Sequence, residues 1–174
     1  MSVFKTEAIT LGRTDYSNSS QIITFYTRDY GKIHTIAKGF KRVSGRYSSK
    51  AIDLLTYYQI LFIKKEYTSL HTLTEAVLQN NYPMLRNNLD NYYKASCMAV
   101  LVNEFTEESD PSKQLFDIFL NTLNVISADT NATIQLLTFE MKMLKILGYL
   151  PELESCVNCK DSIQQVSEVH FNAR

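Results

Sequence analysis

The sequence predicts an α+β protein in which a small five-stranded antiparallel β-barrel precedes an all-helical domain. Residues 1–80 contain five short runs rich in β-branched and aromatic residues, a composition typical of strands. After residue 83 the apolar residues recur at steps of three and four, which is the period of an amphipathic helix. A cysteine pair follows the last helical pattern. We therefore expect a barrel at residues 1–80, a helical domain at 81–150 and the start of a zinc knuckle at 151–174.

Five runs predict the strands, and turns such as the tight Asp29-Tyr30-Gly31 connection separate them. Closing short antiparallel strands into a barrel removes their exposed edges. Five strands joined by loops of uneven length are typical of an OB-type barrel, which binds oligonucleotides on one face with the aid of its loops. The predicted strands are residues 5–13, 21–28, 32–38, 54–63 and 70–78.

Three helices are predicted in the second half. The first spans residues 83–105, and Asp110-Pro111 supplies an N-cap and a first-turn proline for the second, whose apolar stripe covers 115–126. The third, at residues 133–147, is apolar on nearly every side, which predicts a buried central helix. Gly148 is placed to end this helix with a left-handed cap.

A basic segment, RDYGKIHTIAKGFKRVSGRYSSK, occupies residues 28–50. From Lys32 onward it contains six cations and neither Asp nor Glu, so its positive potential is not cancelled within the segment. Unpaired cations are not buried, and a basic surface loop suits the phosphate backbone of a nucleic acid. A solvated turn without a ligand is the alternative. The candidate phosphate contacts are Lys32, Lys38, Lys41, Arg42, Arg46 and Lys50, and the candidate base-stacking residues are Phe40 and Tyr47.

The zero net charge of the 174 residues hides an asymmetry. Residues 1–80 contain eleven Lys and Arg against six Asp and Glu, a net charge of +5, whereas residues 81–174 contain seven against twelve, a net charge of −5. This difference indicates separate tasks for the two halves. No run approaches the roughly 18 apolar residues of a membrane span, and the N-terminus lacks the apolar core of a secretory signal. We therefore expect a cytoplasmic protein without a membrane partner.

Cys156 and Cys159 form a CxxC pair just past the last predicted helix. Two thiolates at this spacing can share a tetrahedral Zn²⁺, but a structural zinc site needs four ligands, and only His170 follows nearby. Three interpretations stay open: half of a zinc site completed beyond residue 174, two reduced thiols without metal, or redox chemistry or a disulfide. Cys97 lies on an apolar helical stripe and is expected to be a buried core residue.

No catalytic site is predicted. The phosphate-binding, dinucleotide-binding, zinc-protease and nucleophile-elbow motifs do not occur in the sequence. The acidic residues show no convincing catalytic pairing. His34 and His71 have no second ligand at metal spacing, so we interpret both as structural or surface residues. We therefore expect a protein that is not an enzyme.

Several stretches resemble the RecO family of bacterial DNA repair proteins, and they follow one another in the family's order. YTRDYGKIHTIAKGFKR at residues 26–42 is similar to the family signature FTRxxGKxxxxAKGxRR. TEAITL at 6–11 and LHTLTEA at 70–76 resemble the first and last barrel strands. LKILGYLP at 144–151, followed by the cysteine pair, is similar to the junction LLxLLGYxP…CxxC. No second cysteine pair follows, so we expect that the chain ends before it.

The resemblance implies a recombination mediator of the RecF pathway that carries out no covalent reaction and works at the bacterial nucleoid. It implies binding to single- and double-stranded DNA, annealing of complementary strands, and partnership with RecR and with the C-terminal tail of the single-stranded-DNA-binding protein SSB. Through these partners it helps to load RecA on SSB-coated DNA. Carried over onto matching positions, the DNA contacts are Arg28, Lys32, Lys38, Lys41, Arg42 and Arg46, and the first pair of zinc ligands is Cys156 and Cys159.

Two other functions stay open. The acidic half cannot favour DNA electrostatically, so the protein could instead be an adaptor whose helical half docks partners. A barrel with a basic loop also does not reveal the sugar of its ligand, so an RNA-binding protein is the other alternative.

Overall fold

A computed structural model describes residues 2–17, 20–38, 52–65, 67–128, 131–156, 159, 160 and 162. Within these ranges five strands precede four helices. The strands are β1 (Val3–Asp15), β2 (Ser20–Thr27), β3 (Gly31–Lys38), β4 (Tyr57–Ile63) and β5 (Leu70–Asn80).

The strands close into a barrel in the order β1-β2-β3-β5-β4, with β4 returning to β1. The predicted five-stranded OB-type barrel is confirmed, with one difference. Neighbouring strands are antiparallel except β3 and β5, which pair in parallel. The reason is geometric: strand direction cannot alternate all the way around a closed ring with an odd number of strands, so at least one pair must be parallel.

Successive residues of β1 and β2 serve two different apolar cores, because side chains of a strand alternate between its faces. Ala8 and Phe25 point into the barrel and pack with its interior. The residues that follow them, Ile9 and Tyr26, are equally buried but pack with the core formed by the helices. The outer surface of these two strands is therefore the platform on which the helices rest.

The fourth strand begins at Tyr57, three residues later than the sequence predicts. Leu55 is buried, and its backbone has a left-handed φ of +53°. That conformation is incompatible with a strand, so Leu55 and Thr56 are buried without belonging to β4.

The helices are α1 (Pro83–Asn87), α2 (Leu89–Phe105), α3 (Lys113–Ala128) and α4 (Ala132–Leu147). The single helix predicted at 83–105 is interrupted at Asn88, whose backbone is extended. The side-chain oxygen of Asn88 accepts a hydrogen bond from the amide of Asn91 at 3.2 Å and caps α2. None of the described helices is long and apolar enough to cross a lipid bilayer.

The N-cap predicted at Asp110 is wrong. The third helix starts two residues beyond Pro111, and Ser112 carries out the capping role. Its hydroxyl oxygen accepts a hydrogen bond from the amide of Leu115 at 3.3 Å. Asp110 instead belongs to the α2–α3 connection, residues 106–112, which contacts the barrel.

The prediction that the last helix is buried on every side is also wrong for the part of the chain that the structure describes. Phe139 and Met143 are buried on the face that packs against α2 and α3. Ile134, Leu137 and Met141 lie on the opposite face and are 40–55% exposed. Periodicity identified the helix, but it could not identify which of two apolar faces the neighbouring helices cover.

The α2–α3 connection lies against an open edge of β3. Strand β5 pairs with β3 only from His34 onward, which leaves the start of β3 without a neighbour on that side. Ser109 fills this edge, because its amide donates a hydrogen bond to the carbonyl of Lys32 at 3.0 Å. Glu108 forms a parallel bridge with the same residue. The helical half is thus joined to the barrel by backbone pairing as well as by side chains.

Ion pairs reinforce this joint. The Arg28 guanidinium lies between two carboxylates, at 2.8 Å from Glu7 on β1 and 3.0 Å from Asp117 on α3. Its pKa is raised, first by the hydrogen bond to Glu7 and then by the charge of Asp117. In two further ion pairs the cation belongs to the helical half and the acid to the barrel half. Lys113 lies 3.2 Å from Asp29, and Arg86 lies 3.7 Å from Asp53.

We expect Gly31→Ala to destabilise the protein by about 3 kcal/mol in a denaturant titration. Gly31 has a φ of +66°, and a Cβ there would lie 2.3 Å from the carbonyl oxygen of Asp110. The left-handed backbone alone costs about 1–3 kcal/mol for other residues, and the backbone clash adds to it. Gly148→Ala is the control, because Gly148 has a φ of +79° with no atom within 4 Å of a Cβ. Equal losses for the two variants would contradict the close approach.

The Glu7 carboxylate predicts a pH dependence. A hydrogen bond from the Tyr57 hydroxyl and the Arg28 guanidinium lower its pKa below the ordinary 4.5. A lowered folded-state pKa gives stability that is present above pH 4.5 and is lost as pH falls through the folded-state value.

Glu7→Gln should therefore reduce the free energy of unfolding at pH 7 by about 1 kcal/mol, because part-exposed ion pairs contribute little. It should also reduce the stability loss between pH 5 and pH 3. Glu140→Gln on α4 is the control, because it removes the same charge at a residue without a described ion pair and should leave the free energy of unfolding at pH 7 nearly unchanged. An unchanged pH profile for Glu7→Gln would show that this carboxylate does not stabilise the joint.

Candidate nucleic-acid interface

Strand β3, which lies within the basic segment, ends at Lys38, and the described residues resume at Ile52. Lys38 is exposed at the end of β3, whereas Ile52 is buried in the barrel interior. The intervening residues 39–51 lie outside the described ranges. The predicted contacts Phe40, Lys41, Arg42, Arg46, Tyr47 and Lys50 fall among them and stay predictions.

Two arginines hold the chain at residues 52–54, directly after the basic segment. Arg13 donates hydrogen bonds to the carbonyl of Ile52 at 3.0 Å and to the Asp53 carboxylate at 2.7 Å. Arg86 from α1 donates a hydrogen bond to the carbonyl of Leu54 at 2.8 Å. The chain that follows the basic segment is therefore anchored by both halves of the protein.

Arg28 and Lys32, which the family signature suggests as DNA contacts, both face the helical half. Arg28 is the guanidinium between Glu7 and Asp117, and it lies over the ring of Phe116 at 5.9 Å. The Lys32 ammonium donates a hydrogen bond to the backbone carbonyl of Asn103 at 2.5 Å. In this arrangement the two cations fasten the barrel to the helices.

A lysine-lined cavity of about 670 Å³ opens beside Lys38. Lys64 and Lys65, which directly follow β4, contribute two further cations to its wall. Phe4 and Tyr67 also line it, and none of the described lining residues is acidic. Glu66, the acid adjacent in sequence, lies outside the described residues. The cavity thus brings together one predicted site residue and two lysines that the sequence analysis did not select.

The β4–β5 connection, residues 64–69, contains the site residues that sequence reasoning missed. The signal was present as two consecutive lysines and a tyrosine at the end of a predicted strand. Their place in one cavity with Lys38 could not be read from it, because it depends on which strand β5 pairs with. In the parallel pairing of β5 with β3, Leu70 lies opposite His34, so the connection runs alongside β3 and lines a cavity that also reaches Lys38.

A buried histidine anchors the β4–β5 connection. The amide of Lys65 donates a hydrogen bond to Nδ1 of His71 at 3.4 Å, and the His71 ring stacks on Phe62 with centroids 5.6 Å apart. Burial lowers the pKa of His71, and the charge of Lys64 lowers it further. A neutral imidazole is the form that can accept this hydrogen bond.

His34 on β3 connects this strand to β2 and to the α2–α3 connection. Its Nδ1 is 3.0 Å from the hydroxyl of Thr24, and its Nε2 is 3.1 Å from the carboxylate of Glu108. The described residues contain no group of three or more His, Cys, Asp and Glu side chains that could hold a metal ion.

The CxxC pair lies beyond α4, with Cys156 half-buried and Cys159 exposed. The amide of Lys160 donates a hydrogen bond to the carbonyl of Cys156 at 2.9 Å. All three cysteines are described, and none forms a disulfide; Cys97 is half-buried rather than fully buried. A structural zinc site needs four ligands, and the described part of this pair offers two thiols, so zinc binding stays a prediction.

Two family models match the chain. The model for the recombination protein O N terminal matches residues 1–82, and that for the recombination protein O C terminal matches residues 86–169.

Curated relatives agree with the family models. The chain is 34% identical over 172 residues to a DNA repair protein RecO of Bacillus pumilus (strain SAFR-032). The aligned residues cover 99% of this chain and 65% of the relative. The chain is 32% identical over 168 residues to a DNA repair protein RecO of Syntrophus aciditrophicus (strain SB). Here the aligned residues cover 97% of this chain and 64% of the relative. The chain thus spans about 65% of the length of these relatives. With both of its halves matched, the chain belongs to the recombination protein O (RecO) family.

Proposed function

We propose that the protein is a non-catalytic DNA-binding and strand-annealing mediator of recombination in RecF-pathway repair. In this role it helps to load RecA on single-stranded DNA coated with SSB, and RecR is a further partner. One observation carries the proposal: Lys38, at the end of β3 within the basic segment, lines the lysine-lined cavity together with Lys64 and Lys65. The family relationship supports DNA repair as the setting.

The physical mechanism is neutralisation of phosphate charge. Each phosphate that a lysine or arginine neutralises releases condensed counterions, so binding is favoured strongly at low salt. Two strands that are both neutralised on one protein repel each other less, which favours annealing. Arg28 and Lys32 support this function by fixing the barrel on the helices, while Lys38 and the cations beyond it contact phosphates.

The partner surface that we propose for the SSB tail is the α3–α4 groove, a depression of about 360 Å³. A peptide that ends in acidic residues and an apolar residue needs an apolar pocket edged by cations. Ile118 and Ile146 form the apolar part of this groove, and Lys142 and Lys145 lie at its edge. Asp117 also lines it, but this carboxylate is engaged by Arg28.

We expect Lys41→Ala/Arg42→Ala to weaken DNA binding and to flatten its salt dependence. Removing two phosphate contacts should reduce the slope of log K against log salt by about 1.5. Fluorescence anisotropy with a labelled oligonucleotide between 50 and 200 mM salt measures this slope.

Lys142→Ala/Lys145→Ala is the control for that experiment, because it removes the same charge from the helical half. If both double variants lose affinity equally, the basic segment is not the DNA site. The same titration with an RNA of identical sequence tests the nucleic acid, and tighter binding to RNA would contradict the DNA assignment.

We expect Lys145→Glu to reduce binding of a peptide with the acidic SSB-type C-terminus at least roughly tenfold, because a repulsive contact replaces an attractive one at the groove edge. Lys5→Glu on β1 is the charge-matched control and should leave peptide binding unchanged. Isothermal titration calorimetry gives both affinities. Unchanged binding by Lys145→Glu would exclude the α3–α4 groove as the tail site.

A further inference from the structure

We propose that the β4–β5 connection is a stacking site for an unpaired nucleobase, with Tyr67 as the stacking surface and Lys64 and Lys65 on the adjoining phosphates. This inference rests on the proposed DNA-binding function and adds to it a site and a preference for single strands.

Tyr67 is the first observation behind this inference. It is 97% exposed, so its ring contributes almost nothing to the folded core. Phe4, which lines the same cavity, is instead packed against other rings: it contacts Tyr30 edge-to-face at 5.4 Å and lies 5.8 Å from Phe62. A ring that is free on both faces is what a base needs for stacking, and every base has a face that can be stacked.

The charge around the ring is the second observation. Tyr67 lines the same cavity as Lys38, Lys64 and Lys65, and no described lining residue is acidic. The cavity volume of about 670 Å³ lies in the range of small-ligand sites, roughly 300–1,000 Å³. A nucleotide combines the two chemistries found here, since it has a flat apolar base and an anionic phosphate.

The anchoring of the connection is the third observation. The Lys65 amide is held by the buried His71, which itself stacks on Phe62. The backbone of the connection is therefore held at Lys65 before any ligand binds. Pre-ordering of a binding loop reduces the entropy that is lost on binding.

These observations favour single-stranded ligands over duplexes. In a duplex both faces of each base are covered by its neighbours, so an exposed tyrosine has no base to stack on. An unpaired base can turn out of its strand and cover the ring. The lysines attract phosphates of either form, whereas Tyr67 discriminates between them.

The test compares wild-type protein with Tyr67→Ala and Tyr67→Phe on three ligands of equal length: oligodeoxythymidine, the same oligomer with abasic sites, and a duplex. We expect Tyr67→Ala to lose roughly 5- to 150-fold in affinity for oligodeoxythymidine, which corresponds to the worth of one stacked base. Its affinities for the abasic oligomer and for the duplex should stay unchanged. Tyr67→Phe keeps the ring and should bind like the wild type.

A second variant gives a direct spectroscopic signal. The chain contains no tryptophan, so Tyr67→Trp introduces a single one. We expect its fluorescence to be quenched by oligodeoxythymidine and not by the abasic oligomer. Wild-type affinity of Tyr67→Ala for oligodeoxythymidine, or equal quenching by both oligomers, would overturn the stacking site while leaving DNA binding intact. Failure of the wild type to bind any of the three ligands would instead overturn the proposed function.

Discussion

The open edge at the start of β3 is the constraint on which the rest of the structure depends. Because β5 reaches β3 only at His34, the α2–α3 connection can complete the edge by backbone pairing. Gly31 permits the close approach of Asp110, which a side chain at that position would prevent. With the connection in place, α3 and its neighbours cover the outer surface of β1 and β2. None of the described residues that line the lysine-lined cavity comes from a helix, so this joint leaves the cavity accessible.

The joint also explains how opposite net charges coexist in one chain without cancelling the basic site. Among the described residues, ion pairs between the halves engage two barrel acids, Asp29 and Asp53, and one barrel arginine, Arg28. Asp53 and Arg28 also pair within the barrel, with Arg13 and Glu7. In the part of the chain that the structure describes, acids of the helical half form ion pairs with Arg28 and His34, and neither of these lines the cavity. Lys38, Lys64 and Lys65 thus line a cavity to which the described residues contribute no acid.

The sequence was sufficient where a local pattern decides the structure, and insufficient where the choice of neighbour decides it. Alternation and β-branched composition identified the five strands, because burial on one face imposes a period of two. The start of β4 was missed because Leu55 takes a left-handed backbone that its apolar character does not reveal. The face of α4 that is buried depends on which helices lie beside it. For the site, Lys38 was identified from a local run of charge, but Lys64 and Tyr67 join it only through the β3–β5 pairing.

The cations of the basic half divide into two groups that differ in what they contact, and this division matters more than their number. Arg28 and Lys32 already have partners in the helical half, so phosphate could engage them only by breaking those contacts. Lys64 and Lys65 line a cavity without described acids, and the imidazole beneath them is kept neutral by its burial and by Lys64. A neutral His71 accepts a hydrogen bond from the Lys65 amide, and it adds no charge that would need its own counterion. Part of the conformational entropy of this loop is therefore lost during folding, so less of it is lost when a ligand binds.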